Sequence, residues 1–378
     1  MNSVSIEVDP ATSLKEAAAL IGVPLRRRPW NTSASGRALR AFARGIGSRN
    51  PLYLSRDYSS ESLCGGLPAH PTWLYSIDDT IAPVKFPWLH AIFTGTDWHF
   101  ERYVMEGDSI TAECKLLETT PVHGEFSQEM LLQKTQVTYT NQRQEAVATA
   151  RSYLLRTNRA KARERGLYRD VTRSHYTPED LQGIGADYDS EEVRGAKSRY
   201  WDDVKVGDDV GHVVKGPLTS EDIVQFVNVT HGVLTFGKAY DHRRRHPGAI
   251  CWNEKFNMPD TWEDSLFKPE VAEMFGFPDS HDAGIDRVSW ADHLVTNWMG
   301  DTGFLRELSV RLLRPMIYAD TVRWRGTVTE KRESGGVGAA RLQLECRNQG
   351  EAVVARGTAL VELPSRRLDL RTPLVPSA

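Results

Sequence analysis

Apolar residues recur at i, i+3, i+4 and i+7 through Leu39, Phe42, Ala43 and Ile46, which predicts an amphipathic helix over 35–46. Gly47 stands where that helix should stop, and Asn50-Pro51 follows as a turn. A second helix is predicted over 71–78, with Pro71 at its first position. From Ala91 the period changes to two. Segments 92–100, 109–118, 128–140 and 146–156 alternate or are enriched in β-branched residues and read as strands, with turns at Gly107-Asp108, 121–124 and 141–145. The second half repeats this order. Thr219 caps a helix that runs to Val229, with Asp222 completing a capping box. A helix over 289–299 puts Trp290, Leu294 and Trp298 on one face. Four strands follow, at about 304–313, 321–331, 338–347 and 352–363. A short helix over 13–21 precedes both halves.

The repetition is visible residue by residue. The stretch Tyr139–Ala148 is similar to Cys346–Ala355, and both lie in the hairpin before a last strand. Gly107-Asp108 and Ala319-Asp320 open equivalent strands. A duplicated α+β unit is the economical reading. In each unit an antiparallel sheet would wrap one central helix, and the two sheets would meet edge to edge as an intrachain pseudo-dimer, hiding their edges. The expected boundaries are 1–157 for the first unit and 201–378 for the second. Residues 158–200 are charged and poor in large apolar side chains, which predicts a surface linker with a short helix opened by Thr177-Pro178. Residues 240–285 have no regular period and form an insertion in the second unit.

Composition narrows the function classes. The chain has 378 residues, net charge −3 and both signs dispersed, which disfavours a nucleic-acid partner. It has no 18-residue apolar run and no apolar signal core, so no membrane partner is expected and the location expected is cytoplasmic. Four widely spaced cysteines, Cys64, Cys114, Cys251 and Cys346, make no metal pattern. The basic runs Arg26–Arg28 and Arg243–Arg245 read as solvated faces or as phosphate contacts for a carrier.

Several stretches together resemble the MaoC-like branch of the hotdog fold in its two-domain form, with a first half similar to the FAS1-type dehydratase N-terminal domain. They are Ala41–Tyr53, Gly66–Trp73, Thr94–Trp98 and Asn141–Arg143 in the first half. In the second they are Arg199–Val204, Val206–Asp208, Lys215–Thr219 and Asn297–Asp301. The resemblance implies a double hotdog that hydrates a 2-enoyl thioester, or dehydrates the 3-hydroxyacyl thioester, on coenzyme A or an acyl carrier protein. It implies no cofactor and a homodimer or higher homo-oligomer. Related conjugate additions, cyclisations or eliminations, and a non-catalytic thioester-binding subunit, stay open.

Such chemistry needs an acid/base pair around a water and donors for the thioester oxygen. The family's motif sets an Asp before Asn-Pro and a His after it. Here Ser48 and Tyr53 occupy those positions, while Asn50 and Pro51 match. Pro71 has no N–H, so oxyanion contacts fall to Thr72 and Trp73. The expectation is therefore that the first half supplies substrate contacts through Ser48, Asn50, Tyr53, Thr72 and Trp73. Chemistry is expected in the second half, at His293 and Asp286, with Asp282 orienting and His231 as a further candidate. Gly284 and Trp290 complete the predicted substrate-binding set.

Overall fold

The computed structural model describes residues 15, 17–25, 31–81, 89–123, 130–158, 171–230, 250–274, 276–334 and 336–367. Arg26–Arg28, His231, the basic run in the insertion, and Ser13, Leu14 and Glu16 of the expected 13–21 helix lie outside the described residues; Lys15 and 17–19 are helical.

The predicted first helix is α1, Gly36–Gly45. Ser35 accepts from the Ala38 N–H at its start, and Gly47 adopts φ +75° just past its end. A short α2, Arg56–Glu61, follows. The first sheet contains β1 Pro24–Leu25, β2 Leu89–Phe100, β3 Thr111–Val122, β4 Met130–Thr140 and β5 Ala146–Asn158. The second contains β6 Asp209–Lys215, β9 Phe304–Leu312, β10 Val322–Ser334, β11 Val337–Asn348 and β12 Val353–Leu363. β2 pairs antiparallel with β9, Trp98 opposite Leu308, and joins both halves into one ten-stranded sheet of order β1-β3-β4-β5-β2-β9-β12-β11-β10-β6. The expected edge-to-edge docking is thus realised by backbone hydrogen bonds. A single apolar core, running from Leu39, Trp73 and Trp98 to Trp290, Trp298 and Trp324, crosses the junction.

The linker carries the helix expected at Thr177-Pro178: α3, Pro178–Asp189, opened by a reciprocal Thr177/Asp180 capping box. Just beyond it, Glu191 accepts from the Val214 N–H, so this segment is tied to β6. The insertion also carries structure: a β7–β8 hairpin (Ile250–Asn253, Met258–Thr261) and α5, Pro269–Glu273. Its own small core holds Cys251, Val271, Ala272 and Phe277. Finally, the two central helices are unequal. In the second half, α4 Ser220–Thr230 precedes a 15-residue central helix, α6 Ile285–Met299, which begins four residues before the pattern suggested, after Gly284 at φ +80°. In the first half the counterpart is only a 3₁₀ turn, Pro71–Ser76. Asp78 accepts from the Thr80 N–H, and Thr80 takes φ 62°, so the chain turns away before an α-helix can propagate.

Candidate active site

Every residue of α6 is buried, including Asp286, Arg287, Asp292, His293, Thr296 and Asn297. A helix in that position is ordinarily apolar all round. Each of these polar groups therefore needs a partner, because an unpaired buried donor or acceptor costs about 1–3 kcal/mol. Following the partners locates the site.

Asp292 reaches across the junction to the first half. One carboxylate oxygen accepts from the Thr72 N–H at 3.0 Å and from the Thr72 hydroxyl at 2.6 Å. It thereby caps the 3₁₀ turn, whose first N–H is already missing at Pro71. The same oxygen lies 3.7 Å from His70 Nδ1, and both side chains are fully buried. His70 sits just before Pro71 in an extended conformation, φ −56° and ψ 140°, which throws its ring forward of the turn. Its ring stacks on Tyr53 with centroids 3.8 Å apart. Neither ring nitrogen of His70 has a hydrogen-bond partner among the described residues, and the same is true of the Tyr53 hydroxyl; the Asn50 side chain interacts with the Asp301 carboxylate. A cavity of about 10 Å³ adjoins His70, lined by Leu74, Phe100 and Tyr103 of the first half and by Phe304 and Leu305 of the second. That is on the scale of one water molecule.

His293 is held differently. Its Nδ1 lies 2.9 Å from Lys215 Nζ and its Nε2 lies 3.1 Å from Asn297 Nδ2. Its ring meets that of His70 edge-on, with centroids 6.4 Å apart. Burial, then the positive charge of Lys215, push its pKa well below the ordinary histidine range. Burial also raises the Tyr53 hydroxyl well above its ordinary value, so it stays a neutral O–H donor. Asp301, just beyond α6, accepts from the Tyr58 hydroxyl at 2.7 Å. Burial raises its carboxyl.

Comparison with known proteins bears on the fold. Residues 19–150 match the family described as FAS1-like, dehydratase domain region. Among solved structures, the chain is similar to a MaoC-like dehydratase at 16% identity and TM-score 0.65, over 92% of this chain and 99% of that one. It is similar to a MaoC domain protein dehydratase from Chloroflexus aurantiacus J-10-fl at 16% identity and TM-score 0.58, over 90% and 96%. A conserved hypothetical protein from Mycobacterium tuberculosis with a double hotdog fold aligns at 11% identity and TM-score 0.52, over 88% and 93%. The fold is a double hotdog. Curated proteins yield no sequence match. The family match and the fold support hydratase or dehydratase chemistry in general terms.

Within the double hotdog, the predicted residues divide into three places. His70 stacks on Tyr53 and shares the Asp292 carboxylate with Thr72, so the first hotdog's motif does reach the centre. Ser48 serves the turn, its hydroxyl accepting from the Asn50 N–H at 3.4 Å, while Asn50 caps the next turn through Leu52 N–H. Thr72 and Trp73 do not offer free N–H groups: the first bonds Asp292 and the second bonds the His70 carbonyl at 2.9 Å. Their predicted oxyanion role has no geometric basis here. Asp282 and Asp286 form a separate cluster at the start of α6. Asp282 is bidentate to Arg287, at 2.5 and 3.2 Å, and Asp286 is a buried carboxyl raised well above its usual range by burial and by the charge of Asp282. Seven residues of helix separate Asp286 from His293, about 10 Å along the axis. Gly284 starts the helix where a Cβ would press on Phe93 and Leu312, and Trp290 belongs to the core. His231 lies outside the described residues.

Three central residues were not among the sequence-level candidates: His70 in its own right, Asp292 and Lys215. One signal was available, since Asp292-His293 stands between the apolar residues Trp290-Ala291 and Leu294-Val295 in the middle of the helix. Among the described residues, no three His, Cys, Asp or Glu side chains gather as metal ligands. No described helix is long and apolar enough to cross a membrane. A larger hollow of about 550 Å³ lies elsewhere on the sheet, lined by Asp97, His99, Arg151, Glu307 and Ser309. Asp97 there is committed to Arg311, Ser309 and Tyr153, whose bonds outweigh burial and keep its carboxyl low.

Proposed function

We propose that the chain adds water to a 2-enoyl thioester, or removes it from the 3-hydroxyacyl thioester, with His70 as the acid/base and Asp292 as its carboxylate partner. The observation that carries this is a fully buried imidazole with no hydrogen-bond partner among the described residues. It stands 3.7 Å from a carboxylate of the other hotdog and beside a cavity the size of one water. In the hydration direction, His70 accepts a proton from that water as its oxygen bonds to C3. The electron pair of the C2–C3 double bond moves toward the thioester oxygen. C2 then takes the proton back from the imidazolium, and water has been added with no redox partner. Asp292 steadies the imidazolium, and the long apo contact is of the kind that tightens when substrate is bound. The Tyr53 O–H, which has no partner among the described residues, is the group we assign to the thioester oxygen as it gains charge, with Asn50 Nδ2, which faces the Asp301 carboxylate, as a second donor.

Incubation with a panel of enoyl- and 3-hydroxyacyl-coenzyme A thioesters, read by mass spectrometry, tests the reading. Gain or loss of one water by the wild type but not by His70→Gln supports it. Turnover that survives His70→Gln and is lost in His293→Gln moves the chemistry to the second hotdog. Binding without turnover favours a non-catalytic thioester-binding subunit.

A further inference from the structure

We infer that Lys215 is a positioning residue that holds His293 as a neutral ring with its proton on Nε2, so that an uncharged imidazole rather than a second cation faces His70. Lys215 ends the edge strand β6 and is buried. Its Nζ lies 2.9 Å from His293 Nδ1. It also lies directly beneath the first hotdog's motif turn: a Cβ built on Gly47 would stand 2.9 Å from the same Nζ. The lysine therefore reaches the motif turn of one half and the central helix of the other.

The chemistry of the two atoms fixes the proton. An ammonium has only donors, so Nδ1 must accept and the ring's proton must sit on Nε2. Burial lowers the lysine to about 8, with Glu191 raising it and Arg49 lowering it further, so it remains an ammonium at neutral pH. As placed, Asn297 turns its amide nitrogen toward Nε2 and leaves its Oδ1 without a partner among the described residues. Rotating that amide by a half-turn brings its Oδ1 to Nε2 as an acceptor, which is the arrangement an Nε2–H ring requires. The charged and titratable groups around the pair are Arg49, Glu191, His70 and Asp292. A protonated His293 would be a cation beside Lys215 and next to the His70 that must accept a proton. The lysine's charge opposes that state.

The role in catalysis rests on the hydratase reading, but the ring state does not. In the full-length protein labelled with ¹⁵N-histidine, long-range proton–nitrogen spectra assign His293 by comparison with His293→Gln. The expected result is one neutral Nε2–H ring that does not titrate between about pH 6 and 8. In Lys215→Met the ring should populate both tautomers and protonate at higher pH, while kcat on any substrate found in the panel falls about tenfold or more with KM little changed. Identical His293 signals in wild type and variant overturn the inference, as does a wild-type proton on Nδ1. If the variant fails to fold, the wild type decides alone: the Nδ1 signal must move as pH rises through the lysine's deprotonation, and a stationary signal overturns the inference. Turnover with an unchanged ring state removes Lys215 alone, whereas absence of turnover with the expected ring state removes only the hydratase reading.

Discussion

The two hotdogs agree at their hairpins and differ at their centres. Asn141 accepts from the Arg143 and Glu145 N–H groups, and Asn348 accepts from Gly350 and Ala352 in the same way. Gln142 and Gln349 each accept from a strand N–H and donate to an aspartate, Asp108 or Asp320. Those aspartates receive the Met105 and Ile317 N–H groups. Gln144 and Glu351 take the same left-handed backbone, φ 62° and 60°. The central elements share nothing comparable: six residues of 3₁₀ turn in one half and fifteen of α-helix in the other. Where a network only closes a hairpin, both copies retain it. Where it meets the junction, one half kept a long helix that supplies charge and the other kept an open imidazole. The proposed site is shared, with His70 from one hotdog and Asp292 from the other.

Breaking the sharing should give the largest effect. His70→Ala removes the proposed acid/base and should lower kcat/KM by about 10³-fold, measured on the active substrate of the panel. Asp292→Asn keeps an acceptor for Thr72 but removes the charge beside His70. A loss of about 10²-fold is expected, together with a lowered thermal midpoint, and an unchanged rate would sever Asp292 from the chemistry.

A pH experiment sharpens the electrostatic side. Lys215 titrates at about 8 in the folded chain. Unfolded, a lysine titrates near ~10.4, so between those values the unfolded chain binds more protons and stability rises with pH. The rise attributable to Lys215 should be on the order of 3 kcal/mol and absent in Lys215→Met, as read from denaturant unfolding at pH 7.5 and 10. A rise of equal size in both proteins would contradict the burial of this ammonium. The smallest effect probes the part the halves share. Asn141→Ala strands two N–H groups at a buried position and should cost about 2 kcal/mol, with Asn348→Ala, at a more exposed site, costing less. Equal thermal shifts would show that burial does not separate the two hairpins.

Much of this molecule could be read from the chain. Period-two alternation located the eight long strands to within a few residues. The paired Asn-Gln hairpins announced the duplication, and Gly47 and Asn50 marked the motif turn. These features depend on contacts a few residues apart, so local pattern suffices. The shared centre could not be read this way. Thr72 and Asp292 lie 220 positions apart. Whether Thr72 offers a free N–H depends on a carboxylate that no local pattern connects to it. His293 is the histidine the sequence points to, yet Lys215 and Asn297 occupy both its nitrogens. His70 is not among the residues the sequence points to. The sequence alone determined the elements and their repetition, because propensity and periodicity act over one or two turns of chain. Only the tertiary structure decided which buried polar groups found partners and which stayed open. That depends on the pairing of β2 with β9, which brings two distant stretches of chain into one buried space.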